Sequence, residues 1–147
     1  MFQGASGLNL DAKGRLAVPT RHREPLQAGS SGKLVLTAHP HKCLLLYPAS
    51  AWEPIRARIM TFSSFDPQLT LWKRLLVGFA EELELDGSGR LLISPALRKF
   101  AGLEKQLMLV GQGSHFELWS QEAWDRQLEQ IETGADKLPA GMENFAL

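Results

Sequence analysis

Leu10-Asp11-Ala12-Lys13-Gly14-Arg15-Leu16 returns 75 residues later as Leu85-Asp86-Gly87-Ser88-Gly89-Arg90-Leu91. The echo runs outward from there. Ala17-Val18 corresponds to Leu92-Ile93 and Arg23 to Arg98; Leu44–Tyr47 then corresponds to Phe116–Trp119, and Ala51-Trp52 to Ala123-Trp124, now at an offset of 72. The difference in offset falls between Arg23 and Lys33 in the first copy and between Arg98 and Lys105 in the second. That is loop, where a change of length costs little. A unit of roughly 45 residues present only twice is too short an array for a solenoid. Each copy alone would bury too little surface to be stable. The expectation is one domain of two similar halves that share a core.

The periodicity supports an α+β, β-rich fold. Residues 5–10 and 15–18 read as strands around a turn at 11–14, where Asp11 bonds the following backbone and Gly14 supplies positive φ. A short helix follows from Thr20, with Pro25 expected to end it. Residues 33–38 and 43–47 read as strands, the second so continuously apolar that both its faces should be buried. Ser50 and Glu53 suggest a capping box opening a helix at 51–60. Asp66-Pro67 suggests a cap for a helix at 68–80, whose Leu69, Trp72, Leu75, Leu76 and Phe79 share one face. The second unit repeats the layout with strands at 82–85, 90–94, 105–110 and 115–119 and a helix at 95–101, Gly102 suiting its C-cap. A last helix covers 121–132. These readings divide the chain into a first repeat at 5–52, a helical connector at 53–80, a second repeat at 81–124, a helix end at 125–132 and a mobile tail at 133–147.

Composition narrows the function. The 147 residues carry no net charge, yet residues 1–60 hold 8 Lys+Arg against 3 Asp+Glu, and residues 61–147 hold 8 against 13. A basic first half suggests an anionic partner. Cys43 is the single cysteine, so no intrachain disulfide forms, which suits a reducing compartment. No apolar run approaches membrane-spanning length. Met1-Phe2-Gln3-Gly4 lacks the basic-then-apolar pattern of a secretory leader. The expectation is a cytoplasmic, soluble protein without a membrane partner.

The chemistry concentrates in residues 11–23, with four Lys+Arg and one acid. Asp11 and Arg15, and likewise Asp86 and Arg90, stand where they can pair across the mouth of a hairpin and structure its turn. Arg15 presents the forked donors that match guanine O6 and N7 in the major groove, which admits a two-stranded ribbon. Lys13, Arg21 and Arg23 are placed to meet phosphates. Gly14 allows close backbone approach, and His22 lies among these groups. The second turn is poorer, with Ser88 for Lys13, Ala96 for Arg21 and Leu97 for His22. Arg90 is therefore a secondary DNA-contact candidate.

These residues resemble the MraZ family, within the larger SpoVT–AbrB group. The resemblance rests on the doubled Asp-x-x-x-Arg motif, on Gly89-Arg90-Leu91-Leu92-Ile93 running into Ala96-Leu97-Arg98, on the Met-Phe-x-Gly start, and on Cys43-Leu44-Leu45-Leu46-Tyr47-Pro48. It covers Met1 to about Glu132. It implies two AbrB-like halves and a bacterial transcription regulator of the division and cell-wall gene cluster. Such regulators bind G-rich promoter repeats as ring-shaped homo-oligomers, with repression expected, and Arg15 takes the place of the DNA-contacting arginine. An antitoxin-type interaction protein that grips its partner with the 133–147 tail is the alternative.

Other constellations are weaker. His39, His41 and Cys43 have strand spacing that could suggest a metalloenzyme site, but Pro40 interrupts them and the second repeat offers Gln112 and Ser114 instead. Tyr47, Trp52, Phe116, Trp119 and Trp124 could stack on bases, but their recurrence at strand ends suits core packing better. No nucleophile–base pair, phosphate-cradling glycine loop or His-Glu metal motif is present. No enzyme activity, cofactor, metal or small-molecule ligand is expected.

Overall fold

The computed structural model describes residues 1–134 and 139–145. Its elements in chain order are β1 (Ala5–Asn9), β2 (Arg15–Ala17), α1 (Thr20–Gln27), β3 (Lys33–His39), β4 (Cys43–Pro48), α2 (Ala49–Ile59) and α3 (Pro67–Leu76). The second half adds β5 (Glu81–Glu84), β6 (Arg90–Leu92), α4 (Pro95–Phe100), β7 (Gln106–Gly111), β8 (Phe116–Ser120) and α5 (Gln121–Gly134).

The apolar run of β4 lies at the heart of the molecule. Every residue from Cys43 to Pro48 is buried, because the strand sits mid-sheet with layers on both faces. Leu34, Leu36, Ala38, Leu44 and Leu46 point into one core with Leu107, Leu109 and Phe116. The intervening Val35, Cys43, Leu45 and Tyr47 point into a second core with Trp52, Trp119 and Ala123. This is the period-2 alternation of a strand covered on both sides. Of the aromatics expected in the core, Tyr47, Trp52, Phe116 and Trp119 are buried, with Tyr47 packed on Trp52 at 5.7 Å between ring centroids, whereas Trp124 is half-buried against Trp119 at 6.4 Å.

The six-stranded antiparallel sheet runs β1-β7-β8-β4-β3-β5, and β2 pairs with β6 in a separate two-stranded ribbon. The order is symmetric about the β8–β4 contact. Each half lends its first strand to the other: β1 lies on β7 and β5 on β3. The expected α+β architecture of two similar halves around a shared core is present. The expected hairpins are not. The strands on either side of each Asp-x-x-x-Arg turn part company, one joining the main sheet and the other the ribbon. The ribbon forms between the halves, with Leu16 opposite Leu91. Both leucines are buried in the first core, and each contributes about 1.5–3 kcal/mol by leaving water.

Several local expectations are revised. Ser50 does not cap α2, which starts two residues earlier behind Pro48 with no side-chain cap; the Ser50 amide and hydroxyl instead engage Ser30 Oγ. Pro54 consequently lies inside α2 rather than in its first turn. Helix α1 continues through Pro25 to Gln27, forgoing one hydrogen bond while fully buried Leu26 anchors the turn. Asp66 caps α3 as expected, accepting from the Gln68 and Leu69 amides. That helix stops at Leu76, where the Leu76 carbonyl accepts from buried Thr37 Oγ1 at 2.7 Å. Gly102 takes φ +61° after α4, and the Leu103 amide reaches back to the Arg98 carbonyl. Helix α5 extends to Gly134, so Thr133 and Gly134 are helical rather than tail. Of the tail, residues 135–138 and 146–147 lie outside the described residues.

Candidate nucleic-acid interface

Each Asp-x-x-x-Arg turn is closed by its own aspartate. Asp11 Oδ1 accepts the amides of Lys13 and Arg15, each at 2.9 Å, and Oδ2 accepts Arg15 Nε at 2.9 Å. The Asp11 amide donates to the Arg15 carbonyl at 2.8 Å, and the Gly14 amide to the Asp11 carbonyl at 3.0 Å. The second turn repeats this: Asp86 accepts the amides of Ser88 and Arg90 and Arg90 Nε, all at 2.9 Å. Asp11 and Asp86 therefore structure their turns as expected. The Arg15 and Arg90 amides lead the causes that hold the two carboxyls below their ordinary range.

This arrangement aims the arginines. Nε is committed to the aspartate, and the terminal nitrogens of Arg15 and Arg90 have no partner among the described residues. In the ribbon Arg15 lies opposite Leu92, and Arg90 opposite Ala17. Leu16 and Leu91 face inward, so Arg15, Ala17, Arg90 and Leu92 all face outward. The two arginines are thus diagonal neighbours on one surface, roughly 7–8 Å apart by ladder geometry. The surface is a two-stranded ribbon, but one assembled from both halves. Lys13 is exposed at the first turn. Arg21 is also exposed, donating to Ser6 Oγ at 2.9 Å.

Other expected contact residues lie elsewhere. Gly14 is buried rather than open to a partner. Its φ is +85°, and a Cβ there would meet the Arg98 guanidinium at 2.9 Å. Gly89 has φ +73°, and a Cβ there would come within 2.3 Å of Arg23 Cζ. Each half lays an arginine over the other half's turn glycine. Arg23 is half-buried, its Nε donating to the Val18 carbonyl at 2.7 Å, so this part of its side chain serves the scaffold. The carbonyl of Gly14 accepts the Ile93 amide at 2.9 Å, and that of Gly89 the Val18 amide at 3.0 Å. His22 is buried, edge-on to Phe116 at 4.8 Å. Burial and the Arg21 charge push its pKa down, so it is a neutral core residue near neutral pH. The second-half arginine missed as a scaffold element is Arg98; the signal for it was its alignment with Arg23.

The His39–His41–Cys43 constellation lies at the turn of the β3–β4 hairpin, where His39 and Cys43 are opposite each other in register. His39 Nδ1 accepts the His41 amide at 3.1 Å. Cys43 is fully buried, and burial pushes its thiol up to about 12, so the sulfur stays protonated. Among the described residues no helix is long and apolar enough to cross a membrane.

The match to known proteins covers the whole chain. The model for the MraZ protein family, whose description also notes an antitoxin-like character, matches residues 1–75 and again 76–143. A protein of Methylobacillus flagellatus named Transcriptional regulator MraZ is 66% identical over 148 aligned residues, covering 100% of both chains. Proteins of the same name are 58% identical in Aromatoleum aromaticum and 45% identical in Thiobacillus denitrificans, each again with 100% coverage of both chains.

Proposed function

The chain belongs to the MraZ family, and from that premise we propose that it is a sequence-specific DNA-binding transcriptional regulator, not an enzyme. The observation that carries this reading is the outward ribbon face with two aspartate-pinned arginines. Asp11 holds Arg15 without using its terminal fork, leaving a preformed donor pair for guanine O6 and N7 in a major groove. Lys13 and Arg21 supply phosphate contacts, which set register without reading sequence. Arg90 presents the same fork on the same face, so both turns belong to the reading surface.

The targets are the G-rich repeats of a promoter ahead of a bacterial division and cell-wall gene cluster, where the protein acts as a repressor in the cytoplasm and nucleoid. A single ribbon makes few phosphate contacts and loses affinity steeply with salt. Copies joined in a ring gain by effective concentration along repeated sites. Footprinting of that promoter with native and Arg15→Ala protein tests the reading. Loss of specific protection, with about 1–3 kcal/mol given up per lost base contact, is expected; an unchanged footprint overturns it.

The antitoxin-like description of the family favours one second reading, in which the residues beyond α5 seize a protein partner. Truncation after Gly134 separates the two. DNA binding survives under the first reading, and partner capture fails under the second.

A further inference from the structure

The outward face of the ribbon holds a large apolar side chain that the arginine readout leaves unused. Leu92 is 58% exposed, whereas its strand neighbours Leu91 and Ile93 are fully buried. It stands opposite Arg15 in the ladder. The Ile93 amide donates to the Gly14 carbonyl at 2.9 Å, and the Val18 amide to the Gly89 carbonyl at 3.0 Å. Hydrogen-bonded and open pairs alternate along an antiparallel ladder. Arg15 and Leu92, one step inside the Gly14–Ile93 bond, are therefore an open pair. That is the closer kind, with Cβ atoms roughly 4.5–5.5 Å apart.

The other end of the face is different. Ala17 takes the place of Leu92 in the first repeat and lies opposite Arg90. Arg15 thus stands beside a branched apolar side chain and Arg90 beside a single methyl. A lone exposed leucine is ordinary on a protein surface. This one sits against an aspartate-pinned arginine, where a base edge adjoining the arginine's own target would lie. Thymine alone among the bases puts an apolar group, its C5 methyl, into the major groove. Successive bases rise about 3.4 Å along a strand, so Leu92 reaches within one or two steps of the guanine taken by the Arg15 fork.

We propose that Leu92 is a further specificity residue, making apolar contact with the C5 methyl of a thymine one or two steps from the guanine read by Arg15. This deepens the DNA-binding reading above and rests on it. Ala17 has too little reach to make an equal contact beside Arg90. The ribbon therefore has a direction on the duplex: its first-turn end selects guanine with a nearby thymine, and its second-turn end selects guanine alone. Arg15 and Leu92 come from different halves of the chain, so the pairing of β2 with β6 is what brings the two readers together.

Fluorescence-anisotropy titration of promoter fragments tests this. Thymines are replaced one at a time by deoxyuridine, which keeps the base pair and removes only the methyl. Native protein is expected to lose about fourfold in affinity at the position Leu92 reads, the value of one buried methyl group. Leu92→Ala is expected to bind the thymine and deoxyuridine fragments equally at that position and to keep its preference for guanine. The native arm needs no variant, and Leu92→Val, which keeps a strand-forming side chain but shortens it, reads the same loss if Leu92→Ala unfolds. Native binding indifferent to every thymine methyl, or a Leu92→Ala protein that keeps the full deoxyuridine penalty, overturns the methyl contact and leaves Arg15 as the reader. An unchanged footprint in Arg15→Ala overturns the ribbon reading itself.

Discussion

Arg98 lies across Gly14, so close that a Cβ on the glycine would stand 2.9 Å from the guanidinium carbon; Arg23 lies across Gly89 in the same way, with the corresponding approach 2.3 Å. Each pair joins the turn of one half to the first helix of the other. Positive φ adds roughly 1–2 kcal/mol against any L side chain. Gly14→Ala and Gly89→Ala are therefore expected to lower stability by about 1–3 kcal/mol, Gly89→Ala the more. Urea unfolding measures both. Truncating the facing arginine to Ala is expected to relieve part of the clash, visible as coupling in a double-mutant cycle. Additive losses would show that backbone strain alone is responsible.

The diagonal placement of Arg15 and Arg90 makes a second prediction. Arg90→Ala is expected to lower specific DNA affinity by about 1–3 kcal/mol, as for one lost bidentate contact. Ser88 replaces Lys13 beside it, so the second turn offers one phosphate contact fewer. Lys13→Ala should accordingly flatten the salt dependence of binding by about one unit of slope, while Arg90→Ala should relax sequence preference instead. Titrations at several salt concentrations with matched and mismatched promoter fragments separate the two effects. Full retention of affinity and preference in Arg90→Ala would confine reading to the first turn.

Asp11 and Asp86 hold their turns as carboxylates, and their folded pKa values are depressed chiefly by the Arg15 and Arg90 amides. A depressed carboxylate stabilises the fold above its unfolded pKa, and the contribution disappears as pH falls through the folded value. Both turns are thus intact throughout the neutral range and open only in acid below the ordinary carboxylate range. Asp11→Asn keeps the shape but loses the charge that fixes Arg15 Nε. It is expected to weaken specific binding several-fold at neutral pH with little loss of melting temperature. Carboxyl carbon shifts followed by NMR through an acid titration give the two pKa values directly, and values at or above those of free aspartate would contradict the turn geometry.

The doubled turn was legible because it is local: Asp, Gly and Arg at fixed offsets specify its hydrogen bonds without reference to the rest of the chain. The burial of β4 was legible from its unbroken apolar run. Strand partners were not. Alternation tells which face of β1 or β2 is apolar, but the same faces suit a hairpin and an exchange between halves. Only packing Leu16 against Leu91 decides for the exchange. The position of Arg23 across Gly89 was not legible for a related reason, since a cation near a basic turn has the same sequence appearance whether it meets phosphate or crosses a glycine. Ser50 offered a cap, but Pro48 had already turned the chain into α2.

His22 supplies the last prediction, because the second half holds the apolar version of its site. The aligned residue is Leu97, which is fully buried, while His22 is buried with its Nε2 unpartnered among the described residues. An unsatisfied buried polar atom costs about 1–3 kcal/mol, and Leu is close to His in volume. Burial also depresses the pKa of the imidazole, so the unfolded chain binds its proton more readily than the folded one. The stability lost in this way is nil above the ordinary histidine pKa near 6.5 and grows as pH falls through it. His39 and His115 are shifted in the same direction by burial, so one substitution removes only part of the acid sensitivity. His22→Leu is expected to raise the melting temperature at pH 7.5 by a few degrees, at roughly 2–4 °C per kcal/mol, and by more at pH 5.5. Calorimetry at both values decides. A variant that gains nothing at pH 5.5 relative to pH 7.5 would mean that His22 takes up a proton without cost, and that its site is wetter than its packing against Phe116 and Phe2 implies.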